Sequence, residues 1–230
     1  MNDTEVILCR LYELANPANL EGMAHFGLVG EKRLGIAIPQ LRKLAKEIGK
    51  DHELALELWR SGIPEAQILA SMVENPHRVS EEQLEEWVAD FSAWDICDQV
   101  CMNLFEKVPA AVARVPQWAI REEEFVKRTS FSLIACLAWH DKKADNDSFL
   151  QYFPLIKQAA DDERNFVKKA VNWALRNIGK RNSTLNQAAI QLAQDLQKMD
   201  SRSARWIAAD ALRELHIDAV QKRIQQKQNL

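Results

Sequence analysis

The sequence predicts an all-α protein, a solenoid of paired helices, and three observations lead to that prediction. Apolar residues recur at spacings of three and four along almost the whole chain, and stretches that alternate apolar and polar residues are scarce. The 230 residues include only seven Gly and seven Pro, roughly half the usual share of the two. Because β-sandwiches, barrels and disordered chains are rich in these residues, all three classes are disfavoured. The third observation is an internal repeat in the C-terminal half.

The periodicity predicts a succession of short helices whose connections are also short, so that neighbouring helices stack antiparallel. At 230 residues the chain is long enough to fold alone, burying about 70% of the surface that its unfolded form exposes. The predicted helical segments are 3–15, 39–48, 52–60, 64–74, 80–91, 93–107, 109–114, 123–138, 146–160, 163–179, 184–197 and 202–214.

Several of these predicted helices begin with capping signals. Ser80 and Gln83 have the spacing of a capping box, in which the serine hydroxyl accepts from an orphan amide and the Gln83 side chain reaches back. Ser92 is predicted to cap the helix that bears Trp94. Three prolines suit first-turn positions, where no amide donor is missed: Pro64, Pro109 and Pro116.

The internal repeat has a period near that of helix-pair solenoids. Residues 124–133 resemble residues 165–174 at an offset of 41, and residues 174–178 resemble residues 211–215 at an offset of 37. Paired helices with such a period are typical of HEAT-like repeats, in which each pair buries its apolar face against the next. The sequence thus predicts a single domain over residues 1–230, a curved α-solenoid of about six degenerate HEAT-like helix pairs with a concave groove.

Charge is distributed unevenly along the chain, although the net charge is only −3. Residues 1–115 contain 11 Lys and Arg against 19 Asp and Glu, whereas residues 116–230 contain 19 against 14. From Arg164 onward the counts are 13 and 5, a net charge of +8. This asymmetry predicts a basic face on an otherwise acidic protein. Solvated helix faces of uneven charge are the alternative interpretation.

The cysteines and the hydropathy exclude two further classes of protein. Cys97 and Cys101 are one helical turn apart, and no His or second cysteine pair completes a zinc site, so structural thiols and no metal are expected. The N-terminus lacks the basic region of a signal peptide, and the chain has no run of 18 apolar residues. We therefore expect a cytoplasmic protein with no membrane partner.

The sharpest cluster of chemically useful residues is Trp94-Asp95-x-x-Asp98. On a helix Trp94 and Asp98 are four residues apart and share a face, which places an indole beside a carboxylate. Two acids near a helix start also suit the positive end of the helix dipole. The alternative interpretation is therefore an early-turn charge for Asp95 and a core position for Trp94.

A second aromatic lies among cations in the C-terminal half. Trp173 falls at the edge of an apolar stripe and is surrounded by Lys168, Lys169 and Arg176. Cations for phosphates and a π face for a sugar or base are what a nucleic-acid surface needs, although partly buried packing is the alternative for the indole. Arg128 holds the equivalent place in the preceding repeat, either as a surface ion pair or as a phosphate contact.

Two weaker features complete the set. Ser201–Trp206 opens the last repeat, and Arg205 there could hold a phosphate at a helix N-terminus. Trp139–Lys143 ends a helix, where His and Lys suit the negative terminus and complete nothing catalytic. The chain has no phosphate-binding loop, dinucleotide fingerprint, nucleophile elbow or zinc-protease motif.

Four stretches resemble the bacterial DNA alkylation repair glycosylases of AlkD type. They are Ala93–Asp98, Phe125–Arg128, Phe166–Arg176 and Leu34–Ile36, the last followed by a Pro-Gln-Leu-Arg helix start. Their order and spacing agree with that family over essentially the whole chain. The short Trp-Asp-x-x-Asp motif becomes fairly specific when the later Arg and Trp helices follow it in order.

The resemblance implies a HEAT-like solenoid that binds double-stranded DNA and hydrolyses the N-glycosidic bond of cationic N3- or N7-alkylated purines. It implies a reaction without metal or cofactor, in which the base is not drawn into a pocket. It makes Asp98 the catalytic carboxylate, gives Trp94 and Trp173 the aromatic walls against the deoxyribose, and gives Arg128 a phosphate contact. We expect a monomer, associated with the nucleoid through DNA.

The chemistry supports this interpretation independently of the family. A cationic alkylpurine is already a good leaving group, so the barrier lies in the positive charge that develops on the sugar. A nearby carboxylate stabilises that charge, and each indole face adds about 0.5–2 kcal/mol. Two alternatives keep the fold: a non-catalytic module that binds damaged or branched DNA, and a protein-binding scaffold. The pairing of Asp98 with Trp94, together with Trp173, favours the enzyme.

Overall fold

The computed structural model describes residues 3–228, and all regular secondary structure in that range is helical, which confirms the predicted all-α class. The chain forms two compact units that divide after Val112. The N-terminal unit contains α1 (Thr4–Glu13), α2 (Ala18–Ala24), α3 (Ile38–Ile48), α4 (His52–Arg60), α5 (Pro64–Val73), α6 (Glu81–Asp90), α7 (Trp94–Asn103) and a 3-10 turn (Phe105–Lys107). α8 (Pro109–Ala119) spans the division. The C-terminal unit contains α9 (Glu124–His140), α10 (Asp147–Leu150), α11 (Phe153–Ala159), α12 (Asn165–Gly179), α13 (Ser183–Gln197), α14 (Arg202–Leu215) and α15 (Asp218–Gln228).

The N-terminal unit is organised around α5, which is buried along nearly its whole length. A helix that is apolar on all sides needs neighbours on all sides, and α5 packs against α3, α4 and α7. Beside it, the Trp59 and Trp87 indoles join α4 to α6 as a parallel stack with ring centroids 3.9 Å apart. The Trp59 Nε1–H also donates to Asp90 at 3.0 Å, so this buried indole keeps a polar partner.

In the C-terminal unit α9, α12 and α14 lie side by side and parallel. They begin at Glu124, Asn165 and Arg202, at the offsets of 41 and 37 that the sequence repeat predicts. Two side-chain bonds join residues at nearly the same spacings, 42 and 38: Asn177 donates to the Ala135 carbonyl at 3.0 Å, and Asn172 donates to Asp210 at 2.7 Å. α13 packs against both α12 and α14, as expected of helix pairs.

Gly179 permits the close packing of that array at the end of α12. A Cβ on this residue would lie 2.7 Å from a methyl carbon of Leu215 and 2.9 Å from the Cβ of Ala189. Both distances are below normal contact, so a larger residue at position 179 would push the neighbouring helices apart. The small residue therefore sets the spacing of α12, α13 and α14.

The predicted helix starts are partly confirmed. Ser80 caps α6 by accepting from the Gln83 amide at 3.1 Å, and α5 and α8 begin at Pro64 and Pro109 as predicted. The prediction that the Gln83 side chain bonds back to the start of the helix is wrong, because that side chain donates instead to Glu74 at 2.7 Å. The N-cap of α7 is Ala93, one residue after the predicted Ser92. Pro116 lies inside α8, which runs on to Ala119.

Other differences have simple physical causes. The predicted helix 146–160 is interrupted at Tyr152, because Pro154 suits the first turn of a new helix, and α11 begins one residue earlier at Phe153. α2 and α15 lack a predicted counterpart. α15 is strongly polar, and Ile224 is the buried apolar residue among its described side chains. Over the described range, no helix has both the length and the apolar composition of a membrane span.

Candidate functional site

The Trp-Asp-x-x-Asp motif opens α7 in the N-terminal unit. Trp94 is the first residue of the helix, and Asp98 follows one turn later on the same face. Both side chains are half-buried. The Trp94 Nε1–H donates to the Phe26 carbonyl at 2.9 Å, which fixes the orientation of the indole. Both residues lie on one helix, four positions apart, as the sequence predicts, and the catalytic role of the pair stays a prediction.

Asp95 has a different role from its neighbours in the motif. Its carboxylate accepts two bonds from the Arg33 guanidinium, at 2.7 and 3.1 Å, in a bidentate pair. Arg33 is 5% exposed and Asp95 is 9% exposed, so the pair is buried. Asp95 also accepts from the Ile96 amide at 3.0 Å. Asp95 therefore anchors the segment that carries Arg33 to the start of α7.

That segment, residues 25–37, is held at a second point by Glu65 on α5. The buried Glu65 carboxylate accepts from the amides of Leu34 and Gly35 at 3.0 and 2.8 Å. Gly35 has a φ of +73°, and a Cβ there would lie 2.3 Å from the Asn16 carbonyl oxygen, so only glycine fits. The segment that orients Trp94 is consequently fixed by buried charges on both α5 and α7.

Trp173 lies on α12 in the C-terminal unit, half-buried at the border of a cavity of about 560 Å³. The other cavity-lining residues with aromatic or charged side chains are Trp139, Lys142, Lys180, Arg181 and Arg223. Trp173 was predicted from the sequence, whereas no chemistry was predicted for the helix end at Trp139 and Lys142. The repeat could have indicated this end of the helix. Trp139 and Arg181 lie about one repeat apart, so the repeat predicts that they occupy neighbouring positions at the ends of α9 and α12.

Arg128 is 5% exposed on the buried side of α9, and its guanidinium donates to the Phe166 carbonyl at 2.5 Å. This bond ties α9 to α12 at the level where the Phe125 and Phe166 rings stack, with centroids 5.6 Å apart. Arg128 therefore has a structural role between repeats. Its contact with a DNA phosphate stays a prediction.

The predicted DNA-binding residues of α12 and α14 fall in different environments. Lys168 places its ammonium 5.2 Å from the centre of the Trp206 ring, and Lys169 is exposed. Arg205, also exposed, donates to the Met199 carbonyl at 3.1 Å and lies 3.4 Å from Asp200. Lys168 of α12 and Trp206 of α14 thus place a cation beside an aromatic ring on two adjacent repeat helices. Nucleic-acid surfaces use this combination of side chains.

Arg176 has its charge balanced within the protein. It forms ion pairs with Glu214 and, at 3.3 Å, with Asp210. Lys180 also pairs with Glu214, at 2.6 Å. Burial alone would raise the pKa of Glu214, but the bond from Lys180 and the charge of Arg176 outweigh burial and lower that pKa. The predicted contact of Arg176 with DNA therefore competes with two carboxylates.

The Glu214 cluster should make stability depend on acidic pH. A lowered folded-state pKa stabilises the fold above the ordinary value of 4.5, and this stabilisation is lost as pH falls through the folded-state pKa. We expect Glu214→Gln to lower the urea midpoint at neutral pH and to lower it less below pH 4.5. An equal decrease at both pH values would contradict this role for the carboxylate.

The described part of the chain contains no group of three or more His, Cys, Asp or Glu side chains placed to hold a metal ion. Three of the four cysteines, Cys97, Cys101 and Cys136, are buried within helices. The predicted site residues have carboxylate, indole and cationic side chains. Trp94 and Asp98 belong to the N-terminal unit, and the other predicted site residues belong to the C-terminal unit, so the predicted residues form two groups, one in each unit.

The chain is similar to known proteins over most of its length. The chain is 24% identical over 193 residues to an uncharacterized protein of Listeria innocua serovar 6a, covering 82% of this chain and 84% of that protein. An uncharacterized protein of Listeria monocytogenes serovar 1/2a is 21% identical over 193 residues, which again cover 82% of this chain and 84% of that protein. A solved structure from "a new family of proteins related to the HEAT-like repeat DNA glycosylases with affinity for branched DNA structures" matches with a TM-score of 0.77 and 17% identity. It covers 92% of this chain and 95% of that one, and confirms the HEAT-like solenoid fold.

The family is established by a separate comparison. A family model described as DNA alkylation repair enzyme matches residues 7–226. That range includes every predicted site residue and all but ten of the 230 residues. The protein therefore belongs to the DNA alkylation repair enzyme family.

Proposed function

We propose that the protein is a DNA glycosylase that hydrolyses the N-glycosidic bond of cationic N3- or N7-alkylated purines in double-stranded DNA. The observation that carries the proposal is the first turn of α7, where the Trp94 indole and the Asp98 carboxylate share a face. An enzyme that hydrolyses this bond needs a group that stabilises positive charge on the sugar, and in this proposal the pair supplies it.

In the proposed reaction the bond between C1′ of the deoxyribose and the purine nitrogen breaks, and its electron pair neutralises the cationic base. The sugar becomes oxocarbenium-like in the transition state. The Asp98 carboxylate stabilises that charge and orients the attacking water, whose oxygen bonds to C1′ and whose proton is released. The indole of Trp94 contributes its negative π face. The products are the free alkylpurine and an abasic site.

The C-terminal unit is proposed to supply further contacts with DNA. Trp173 would pack against the deoxyribose, while the phosphate-binding candidates are Arg128, Lys168, Lys169, Arg176 and Arg205. The net charge of +8 from Arg164 onward supports this role, because phosphate contacts dominate the affinity of proteins for DNA. Lys168 and Lys169 are the best-placed candidates, since Arg128 and Arg176 also serve bonds within the protein.

We expect Lys169→Ala to weaken binding to duplex DNA of any sequence. Losing one phosphate contact should reduce the slope of log affinity against log salt concentration by about 0.9. Fluorescence anisotropy over a series of NaCl concentrations measures this slope. Lys198→Ala is the matched control, because Lys198 is an exposed lysine of the same unit outside the candidate set. A slope that stays at the parental value in Lys169→Ala would remove this residue from the interface.

The glycosylase proposal is tested by release of free base from methylated duplex DNA. The purified protein is incubated with the DNA in the presence of EDTA, with unmethylated duplex as the control. We expect 3-methyladenine or 7-methylguanine and an equal amount of abasic sites. DNA binding without base release would favour a non-catalytic module, as the described affinity of the structural relative for branched DNA suggests. The absence of both would favour a protein-binding scaffold.

A further inference from the structure

A cavity of about 560 Å³ lies in the C-terminal unit and is lined by residues of α9, α12 and α15 and of the turns that follow α9 and α12. Indoles form two of its walls, from Trp139 at the end of α9 and Trp173 on α12. Among the described residues that line the cavity there is no carboxylate. The lining cations are Lys142, Lys180, Arg181 and Arg223.

Arg181 is held in this cavity by backbone carbonyls and an aromatic ring. Its guanidinium donates to the carbonyls of Ala138 at 2.9 Å and Ala144 at 3.1 Å, and it lies 4.0 Å from the centre of the Phe149 ring. These contacts fix the orientation of the guanidinium in the cavity wall. Burial lowers the pKa of Arg181, and this effect outweighs the nearby Asp141, which raises it.

Lys142 is a second cation of the cavity, and its ammonium donates to the Trp139 carbonyl. Burial, followed by the charges of Arg181 and Arg223, lowers the pKa of the Lys142 ammonium. Lys142, Arg181 and Arg223 are therefore close enough for their positive charges to repel one another. The fourth cation, Lys180, is instead paired with Glu214 at 2.6 Å. Such a cluster binds an anion that can accept hydrogen bonds from several donors, and phosphate has that chemistry.

The indoles indicate what accompanies the phosphate. Trp139 is 51% exposed, and one side of its ring stacks on His140, with ring centroids 5.1 Å apart. A base can stack on an exposed indole while its phosphate reaches the cations. The cavity volume is within the range of small-ligand sites and too small for a base pair with both backbones. An acidic peptide would satisfy the cations but would leave the indoles without a role.

We propose that this cavity binds one unpaired nucleotide of a DNA strand, with its phosphate on Lys142, Arg181 and Arg223 and its base on Trp139. The proposal goes beyond base excision and takes from the proposed function only that the ligand is DNA. A nucleotide inside a duplex cannot enter, because its base is stacked and paired. The site would therefore recognise a strand end or a displaced strand.

The test compares a blunt duplex with the same duplex extended by one unpaired, phosphorylated nucleotide, using fluorescence anisotropy at a fixed salt concentration. We expect the extended duplex to bind about 10-fold more tightly, the contribution typical of one base stacked on an aromatic ring. Trp139→Ala, Lys142→Gln and Arg223→Ala should each abolish most of this preference. Trp139→Phe should keep most of it, and Lys198→Gln, a lysine outside the cavity, should keep all of it.

Competition separates the two parts of the ligand. Deoxyadenosine monophosphate should reduce binding of the extended duplex to the level of the blunt one, and inorganic phosphate should do so less effectively. Equal competition by both would overturn the stacking role of Trp139. Equal binding of the blunt and extended duplexes by the parent protein would overturn the site, as would a preference that survives all three cavity variants.

Failure of this proposal can be told apart from failure of the glycosylase. Base release from methylated blunt duplex is measured on the same variants, whose thermal unfolding confirms that they are folded. A protein that releases base but shows no preference for the extended duplex overturns the cavity site alone. A protein with that preference and no base release overturns the glycosylase alone.

Discussion

Asp98→Asn is expected to lower the rate of base release from methylated duplex DNA by on the order of 100- to 1000-fold. The substitution keeps the shape of the side chain and removes the negative charge that opposes the cationic sugar in the transition state. Binding to DNA should not weaken, because the lost charge repels phosphate. Single-turnover kinetics with saturating protein separates the chemical step from binding.

The matched control for Asp98→Asn is Glu86→Gln. Glu86 is an exposed residue of α6 in the same unit, and its change removes one negative charge. It should leave base release at the parental rate. If Asp98→Asn also releases base at that rate, with its thermal unfolding unchanged, the carboxylate has no catalytic role.

The second large effect concerns the buried pair of Arg33 and Asp95. Asp95→Ala would leave the Arg33 guanidinium buried without its carboxylate, at a cost of about 3–5 kcal/mol of unfolding free energy. Arg33→Met should cost a similar amount, because it leaves Asp95 without its cation. The double variant Arg33→Met/Asp95→Ala should cost far less than the sum, since neither charge then remains.

Urea unfolding of the two single variants and the double variant measures these differences. The comparison pair is Arg10 and Glu47, whose side chains are 41% and 45% exposed. Glu47→Gln should change the urea midpoint much less than Asp95→Ala, because water screens an exposed pair. Additive losses in the double variant would show that Arg33 and Asp95 contribute independently. Folded Asp95 variants should also release base more slowly, because the segment that orients Trp94 is then loosened.

The predictable features of this molecule are those encoded within one or two helical turns or within one repeat interval. Trp94 and Asp98 are four residues apart, so helical periodicity alone placed them on one face. The repeat offsets predicted the starts of α12 and α14 because each helix meets the same neighbours one repeat later. The three-residue spacing of Ser80 and Gln83 also predicted that Ser80 caps α6, as the structure shows.

Contacts between distant segments could not be predicted in this way. Arg33 and Asp95 are 62 residues apart, and nothing local distinguishes Arg33 from an exposed cation. Gln83 has the spacing of a capping box, but the buried Glu74 carboxylate is its partner instead. The cations of the cavity come from three separate parts of the C-terminal unit, and their meeting depends on the tertiary fold.

The side-chain bonds between α9, α12 and α14 bear on how the C-terminal unit unfolds. Asn172 and Asn177 are nearly fully buried, and each forms a bond to a different neighbouring repeat. If one repeat unfolded alone, these amides would lose their partners while the adjoining helices stayed packed. In a linear array, strong coupling between neighbours makes partly unfolded species scarce. The three repeats should therefore melt in one cooperative transition.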